Sequence, residues 1–313
     1  MLTRRTVILS KRETAYGTDP VMTGTDGLLA FDVEFGSVGE ILRRDVQRDT
    51  LSPMPTALGL QEQSVTFKTE LKGSGVTGTG ANAPEFDPLL HGCGFATAAI
   101  VGTSLLYNLV SDEDSMGSAS LKVYKDGNLH KITGARGTVR VNMDAGQFGV
   151  LEWEFSGIYN AVIADTIPDI SGLSANLPPI VYNSSFQIGG FSPVATRLML
   201  DVGNNVVRRD DLNATYGVDS FRISAREGKI EFDVDAVVEA SNPYWTDWAA
   251  SVVNTCSIDL GTTAGNKVRI DSIYNMEEVK YGDADGISTY DVTGSLVSST
   301  PDTQNDEIAI KFA

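Results

Sequence analysis

Two histidines, His91 and His130, and two cysteines, Cys93 and Cys256, are all the imidazoles and thiols in the chain. Zinc sites draw mainly on those two ligand types in sets of three or four, so this inventory all but excludes one. A Ser-His-Asp relay has only the same two imidazoles to choose from. His91 falls on the polar flank of a short helix and His130 follows a hairpin turn, and both read as structural residues. Cys93 shares an apolar stripe with Leu89 and Leu90, where a thiol serves as a small core group rather than a reactive thiolate. Two cysteines make no disulfide framework.

Carboxylates are abundant, with 41 Asp and Glu against 24 Lys and Arg for a net charge of −17. Paired-acid chemistry of the glycosidase kind therefore has candidates. Asp32, Glu34, Glu152, Glu154 and Asp233, however, occupy the polar phase of alternating runs, which is a solvated face. Asp112-Glu113-Asp114 and Asp283-Ala284-Asp285-Gly286 resemble the start of a calcium loop but lack its ligand spacing and closing glutamate. Gly73-Ser74-Gly75-Val76-Thr77-Gly78 lacks the Lys-Ser/Thr of a phosphate loop, and it reads as a flexible connection. The residues thus predict no catalytic, cofactor-binding or metal site, and no cofactor. The acidic excess argues against an electrostatic nucleic-acid binder, which needs Lys and Arg to neutralise phosphate. With 42% hydrophobic residues the chain is not a disordered acidic tail either.

The elements that position these side chains are short strands. Phe31–Phe35, Val65–Lys68, Leu121–Tyr124, Val139–Val141 and Leu151–Phe155 alternate apolar with polar or charged residues, the pattern of half-buried antiparallel strands. Asp126-Gly127 marks a hairpin turn. Helical spacing occurs twice. Phe86, Leu89, Leu90 and Cys93 follow Pro84, and Trp245, Trp248, Ala249 and Val252 follow Asn242-Pro243, a cap with proline at the first helical position. These stripes make Phe86, Leu89, Leu90, Trp245 and Trp248 the expected anchors of each helix on a sheet, with an aromatic sugar platform as the other reading of the tryptophans. The apolar run Thr6–Leu9 is too short for a signal sequence, so the chain reads as made in a cytoplasm. Phe95–Val110 is too short and too interrupted to span a membrane, so no membrane insertion is expected.

The two helical stripes suggest a duplication. Ile41-Leu42-Arg43-Arg44-Asp45 aligns with Val206-Val207-Arg208-Arg209-Asp210, and continuing without gaps brings Val65 onto Ile230 and Phe67 onto Phe232. GVLEWEFSG (149–157) aligns with GISTYDVTG (286–294), placing Trp153 on Tyr290. The expected organisation is a first β domain over 1–166 with an N-terminal arm, a linker over 167–179 rich in Pro, Gly and Ser, and a second β domain over 180–313. Arg43, Arg44, Asp45 and Arg48, repeated as Arg208, Arg209 and Asp210, form basic islands in an acidic chain and are candidates for self-association.

Lys11-Arg12-Glu13-Thr14-Ala15-Tyr16-Gly17-Thr18-Asp19-Pro20, the glycine-rich loop into Pro84, and the helix carrying Leu89, Leu90 and Gly94 resemble the tail tube, or major tail, proteins of long non-contractile-tailed bacteriophages. Leu198-Met199-Leu200-Asp201-Val202-Gly203-Asn204 and the run on to Asn242-Pro243-Tyr244-Trp245 are similar to them too. The resemblance implies a mainly β fold of two tandem tail-tube-like sandwich or barrel domains, each flanked by one short helix. It implies a structural virion protein, not an enzyme, whose protomers join edge strands into stacked rings that conduct double-stranded DNA without binding it specifically. A duplicated chain implies a trimeric ring with pseudo-sixfold symmetry, with a hexamer as the alternative. A long loop or hairpin is then expected to reach a neighbouring ring, and Asp45–Gln63 and Asp210–Glu227 match that position. Tape measure, tail terminator and distal tail proteins are the implied partners, the virion tail the implied location, and the host cytoplasm the implied place of assembly. A carbohydrate-binding or adhesin-like β-sandwich is the competing reading.

Overall fold

A computed structural model describes residues 5–76, 83–100 and 104–313. The Gly73–Pro84 loop therefore lies partly outside the described residues. The first half contains β1 (Thr6–Arg12), β2 (Gly27–Leu28), β3 (Ala30–Leu42), β4 (Ala57–Glu70), α1 (Asp87–Gly92), β5 (Phe95–Ile100), β6 (Ser104–Leu109), β7 (Ala119–Lys125), β8 (Asn128–Asp144), β9 (Val150–Tyr159) and β10 (Ile163–Ala164). The second contains β11 (Ser185–Ile188), β12 (Ala195–Asp201), β13 (Asn204–Asp210), β14 (Val218–Arg226), β15 (Lys229–Asp235), α2 (Tyr244–Ala249), β16 (Val253–Leu260), β17 (Val268–Ala284), β18 (Ile287–Leu296) and β19 (Ile308–Phe312). The fold is mainly β and of sandwich type, and no described helix is long and apolar enough to cross a membrane.

The alternating runs become strands because their apolar residues reach one core while their charges reach solvent. Val65 and Phe67 of β4, Val139 and Val141 of β8, and Leu151, Trp153 and Phe155 of β9 are all buried. Asp126 and Gly127, both at positive φ, close the β7–β8 hairpin as a two-residue turn. One hydrophobic core runs through both halves, from Ile8 and Phe67 to Ile258 and Phe312. The segment 165–179 carries no strand, yet it is tied down by Ser171 N–H to the Gly24 carbonyl and by Lys72 Nζ to the Ser174 carbonyl.

All strand pairings are antiparallel. In the first half they run β1–β7–β8–β9–β4–β3, and in the second β11–β16–β17–β18–β15–β12. The long strands β8 and β17 change partners along their length. β8 pairs with β7 up to Ala135 and with β12 from Arg140 onward. β17 pairs with β16 up to Asn275, and beyond Met276 with β18 alone. β19 crosses back to the first half, pairing with β6 as well as β17.

Both short helices form where the spacing predicts, with corrections in detail. Phe86, Leu89, Leu90 and Cys93 are buried. His91 is not on a polar flank: it is buried beside Asp87, with Nε2 3.5 Å from Oδ1, because the helix lies against β1, β5, β7 and β8. Burial disfavours ionisation of Asp87, but hydrogen bonds from His91 and Tyr107 outweigh it and hold the carboxyl below its usual range. In α2 the ring that enters the core is Tyr244, at 1% exposure, while Trp248 is 43% exposed and is no core anchor. The helix starts at Tyr244 with Pro243 as its cap, which turns Trp248 outward, where its Nε1 donates to the Glu277 carbonyl at 2.8 Å. Trp245 is half-buried and packs against Tyr281 and Tyr290.

The Lys11–Pro20 stretch is a clasp on the β7–β8 hairpin. Glu13 is buried and accepts from Ser118 Oγ at 2.6 Å, Ser120 Oγ at 2.5 Å, Gly17 N–H at 2.7 Å and Gly134 N–H at 2.7 Å. Asp19 lies 3.3 Å from Lys122 Nζ and 3.0 Å from Lys131 Nζ. Truncating Glu13 would leave several buried donors without an acceptor, each worth about 1–3 kcal/mol. Glu13→Ala is expected to lower stability by about 2–4 kcal/mol, read as an earlier urea midpoint, whereas Asp19→Ala, at the exposed end of the clasp, costs under about 1 kcal/mol.

Candidate functional site

The pairings set eight strands side by side in the order β3–β4–β9–β8–β12–β15–β18–β17, four from each half. The β8–β12 contact is the seam, with Asp201 opposite Arg140, Met199 opposite Asn142 and Arg197 opposite Asp144. One face of this sheet covers the core. The other carries the polar phase of every strand, because side chains alternate along a strand and register keeps them in rows across it.

The rows are charged. Lys68, Glu152, Arg140, Asp201 and Lys229 lie in one line across β4, β9, β8, β12 and β15. Asp144, Arg197, Asp233, Asp291 and Lys280 lie in another across β8, β12, β15, β18 and β17. Ion pairs knit the first row: Lys68 Nζ to Glu152 at 3.0 Å, and Arg140 to Asp201 at 2.8 Å across the seam. Lys68 also lies 3.6 Å from Asp32. Hydrogen bonding to Glu152 raises the Lys68 pKa, and hydrogen bonding to Asp201 raises that of Arg140. A shallow open concavity over this face is lined by Asp32, Glu34, Lys68, Arg140, Glu152 and Asp201. Its carboxylates are open to solvent or committed to cations, which is the arrangement of a charged wall rather than of an acid–base pair.

In the second row two acids oppose each other directly, Asp233 and Asp291. Partial burial first, and then the Asp291 charge, push the Asp233 carboxyl above its usual range. Like charges directly across an antiparallel pair cost stability.

The basic islands separate. Arg43, Arg44 and Arg48 are exposed in the strandless stretch 43–56, with Asp45 among them. Arg208 is held by Asp210 at 2.7 Å and by Glu62 of β4 at 3.2 Å, and Arg209 is exposed. The stretch Asp210–Glu227 is part of a hairpin rather than an open loop: half of it is β14, which pairs with β13 in a two-stranded ribbon and folds back over β8 and β9 of the first half.

Tyr16 and Asn204 help fasten that ribbon. Tyr16 Oη accepts from Phe221 N–H at 2.7 Å and donates to the Gly134 carbonyl at 2.9 Å, and Asn204 Nδ2 donates to the Cys93 and Gly137 carbonyls at 2.8 and 2.9 Å. Burial pushes the Tyr16 hydroxyl up to about 12. Tyr216 meets Tyr159 edge to face, and Phe221 is buried. Tyr16 and Asn204 stand in the two stretches quoted above for the family resemblance, but their role depends on a contact between distant segments that spacing does not encode.

Among the described residues no group of three or more His, Cys, Asp and Glu could hold a metal ion. A family model described as phage tail tube protein matches residues 3–303. The chain belongs to the phage tail tube protein family. No curated protein sequence matches it. Members of this family are structural components of the virion tail.

The opposed acids of this face carry a pH signature. Because the native Asp233 carboxyl keeps its proton to higher pH than the unfolded chain does, its ionisation costs stability as pH rises above about 4. Asp233→Asn is expected to raise stability by about 0.2–1 kcal/mol at pH 7 and to have little effect near pH 3, checked by thermal melts at both values.

Proposed function

We propose that the chain is two tandem tail-tube modules, 1–166 and 180–313 joined by 167–179, and that three chains close a ring of six modules. Rings stack into a tube whose bore is lined by the charged face, and double-stranded DNA passes through without specific binding. Assembly takes place in the host cytoplasm, with tape measure, tail terminator and distal tail proteins as partners along and at the ends of the tube.

The observation that carries this reading is the seam, at which β12 of one half continues the sheet of the other. The strand orders of the two halves correspond step by step, and two pairs of β-bulges support the same equivalence. The first pair beyond the bulge is Glu34–Thr66 in β3–β4 and Arg197–Asp233 in β12–β15. It is Arg136–Ser156 in β8–β9 and Glu278–Thr293 in β17–β18. The two frames agree with each other, since Thr66 faces Glu154, Asp233 faces Asp291, and those partners stand two residues before Ser156 and Thr293. Beside both bulges stands a glycine, Gly157 or Gly294, whose missing Cβ makes room for backbone of the facing strand. In this frame Trp153 keeps its match with Tyr290, but Phe67 matches Val234; the ungapped alignment onto Phe232 is two residues out of register.

In the two rows above five cations balance five acids, but the rows beside them carry Glu34 and Glu154, and Glu231 and Glu278, with no cation in the row. An acidic excess of this kind suits the cargo, because fixed carboxylates repel phosphate and keep DNA from adhering. The Asp233–Asp291 opposition fits that role, since it costs local stability and adds charge to the wall. Concentrated protein, with an initiator complex if needed, is expected to give stacked rings with a central hole in negative stain, and native mass spectrometry to give three chains per ring. Six chains per ring would refute the trimer, and monomers under every condition would refute the tube. Replacing Glu34, Glu154 and Asp233 together by Lys should leave tubes intact and slow genome ejection. Unchanged ejection would overturn electrostatic repulsion as the reason for the charge.

A further inference from the structure

Of the strand edges left unpaired among the described residues, two end the eight-stranded charged face. β3 pairs only with β4, so the opposite edge of Glu34–Leu42 is open. β17 beyond Met276 pairs only with β18, so the opposite edge of Glu278–Ala284 is open. Open edges of this length invite another strand. Each has a counterpart inside the chain that is closed, because β12 is the equivalent of β3 and the far end of β8 is the equivalent of the far end of β17, and these two pair at the seam.

Resting on the tandem-module reading, we propose that the open edge of β3 pairs with the open edge of β17 in a second copy, in the register of the internal seam. Counting from the first pairs beyond the bulges, Met199 and Asn142 correspond to Gly36 and Ala284, and Asp201 and Arg140 to Val38 and Gly282. The predicted pairs are therefore Gly36 opposite Ala284 and Val38 opposite Gly282. At the seam, Val202 N–H donates to the Val139 carbonyl at 3.1 Å, which makes 202–139 a hydrogen-bonded pair and 199–142 a non-bonded one. Gly36 and Ala284 inherit the closely spaced, non-bonded position.

Exposure follows the same equivalence. Val139 is fully buried in the core, whereas its counterpart Tyr281, a larger ring that touches Trp245 and Tyr290, is still 65% exposed. Most of the ring is uncovered in the single chain. The ribbon β13–β14, which continues β12, folds over β8 and β9, and the corresponding arm Gly39–Gln61 continues β3. That arm exposes Ile41, Leu42, Val46, Leu51 and Leu58, at 48% or more. In the proposed junction it lies over β17 and β18 of the second copy within the same ring, covering Tyr281. The contact is heterologous, with different surfaces on the two partners, so it repeats from copy to copy and closes when the turn per copy allows.

Disulfide trapping tests the register. A chain carrying Gly36→Cys and Ala284→Cys, assembled and mildly oxidised, is expected to give reducible bands at two and three times the chain mass on denaturing gels. Val38→Cys with Ala284→Cys, a slip of two residues on the same face, should give at least about tenfold less, because cysteines more than about 7 Å apart do not bridge without movement. A Cβ at Gly36 meets only the Ser64 hydroxyl at 3.0 Å, a rotatable group, and melting curves report whether each variant folds. A variant that fails to fold is replaced by chemical cross-linking of the unmodified tubes and mass-spectrometric mapping of the residues joined across chains. Tubes in which the slipped pair cross-links as well as the predicted one, or in which mapped cross-links avoid β3 and β17, would overturn the register and leave the tube intact. Absence of any assembly would overturn the tube and the register together.

Discussion

The backbone pairing of β12 with the far end of β8 is the interaction on which the rest depends. It is made by peptide groups that have no partner within their own half, and an unpaired backbone group shielded from water costs about as much as a hydrogen bond is worth. Joining the two edges satisfies those groups and converts two four-stranded sets into one face. The Arg140–Asp201 ion pair spans the same line, but it is partly exposed and contributes little beyond fixing register. The hydrophobic core follows the seam, passing beneath it without a break.

The switch of partners along β8 and β17 makes such a seam possible. A strand of seventeen residues is long for a globular protein, and a bulge near its middle lets its two ends serve different neighbours. One end is closed by β7 or β16, and the other is left for a strand arriving from elsewhere. In β8 that strand comes from the same chain. The clasp of Glu13 and Tyr16 sits on the β8 bulge at Gly134 and holds the crossing ribbon down, so local geometry at one irregular residue supports contacts between distant segments.

Much of this architecture is legible in the sequence because it is periodic. Phe67, Trp153 and Phe155 announce their strands by alternation, and Phe86, Leu89 and Leu90 announce a helix by spacing. The charged face is the complement of the same alternation, which is why Glu34, Glu152 and Glu154 are recognisable as solvated acids. What the sequence conceals is set by tertiary contact. Trp248 has helical spacing yet points outward, because Tyr244 fills the core first. His91 is drawn inside by strands that pack on every side of α1, and Asp210–Glu227 has loop-like composition yet pairs as a ribbon.

The internal seam and the proposed junction between copies differ in one mechanical respect. The internal one is held by the polypeptide through 167–179 as well as by its pairing, whereas a junction between separate copies has no such tether. Covalent linkage acts as a very high local concentration, so the internal joint reforms whenever it opens. Under load along or around a tube, every second joint would be the weak one. Cracks, exchange of material and eventual dismantling would begin at those untethered lines, and a fragment released from a broken tube would be a whole chain with its own pair of sheets still fused.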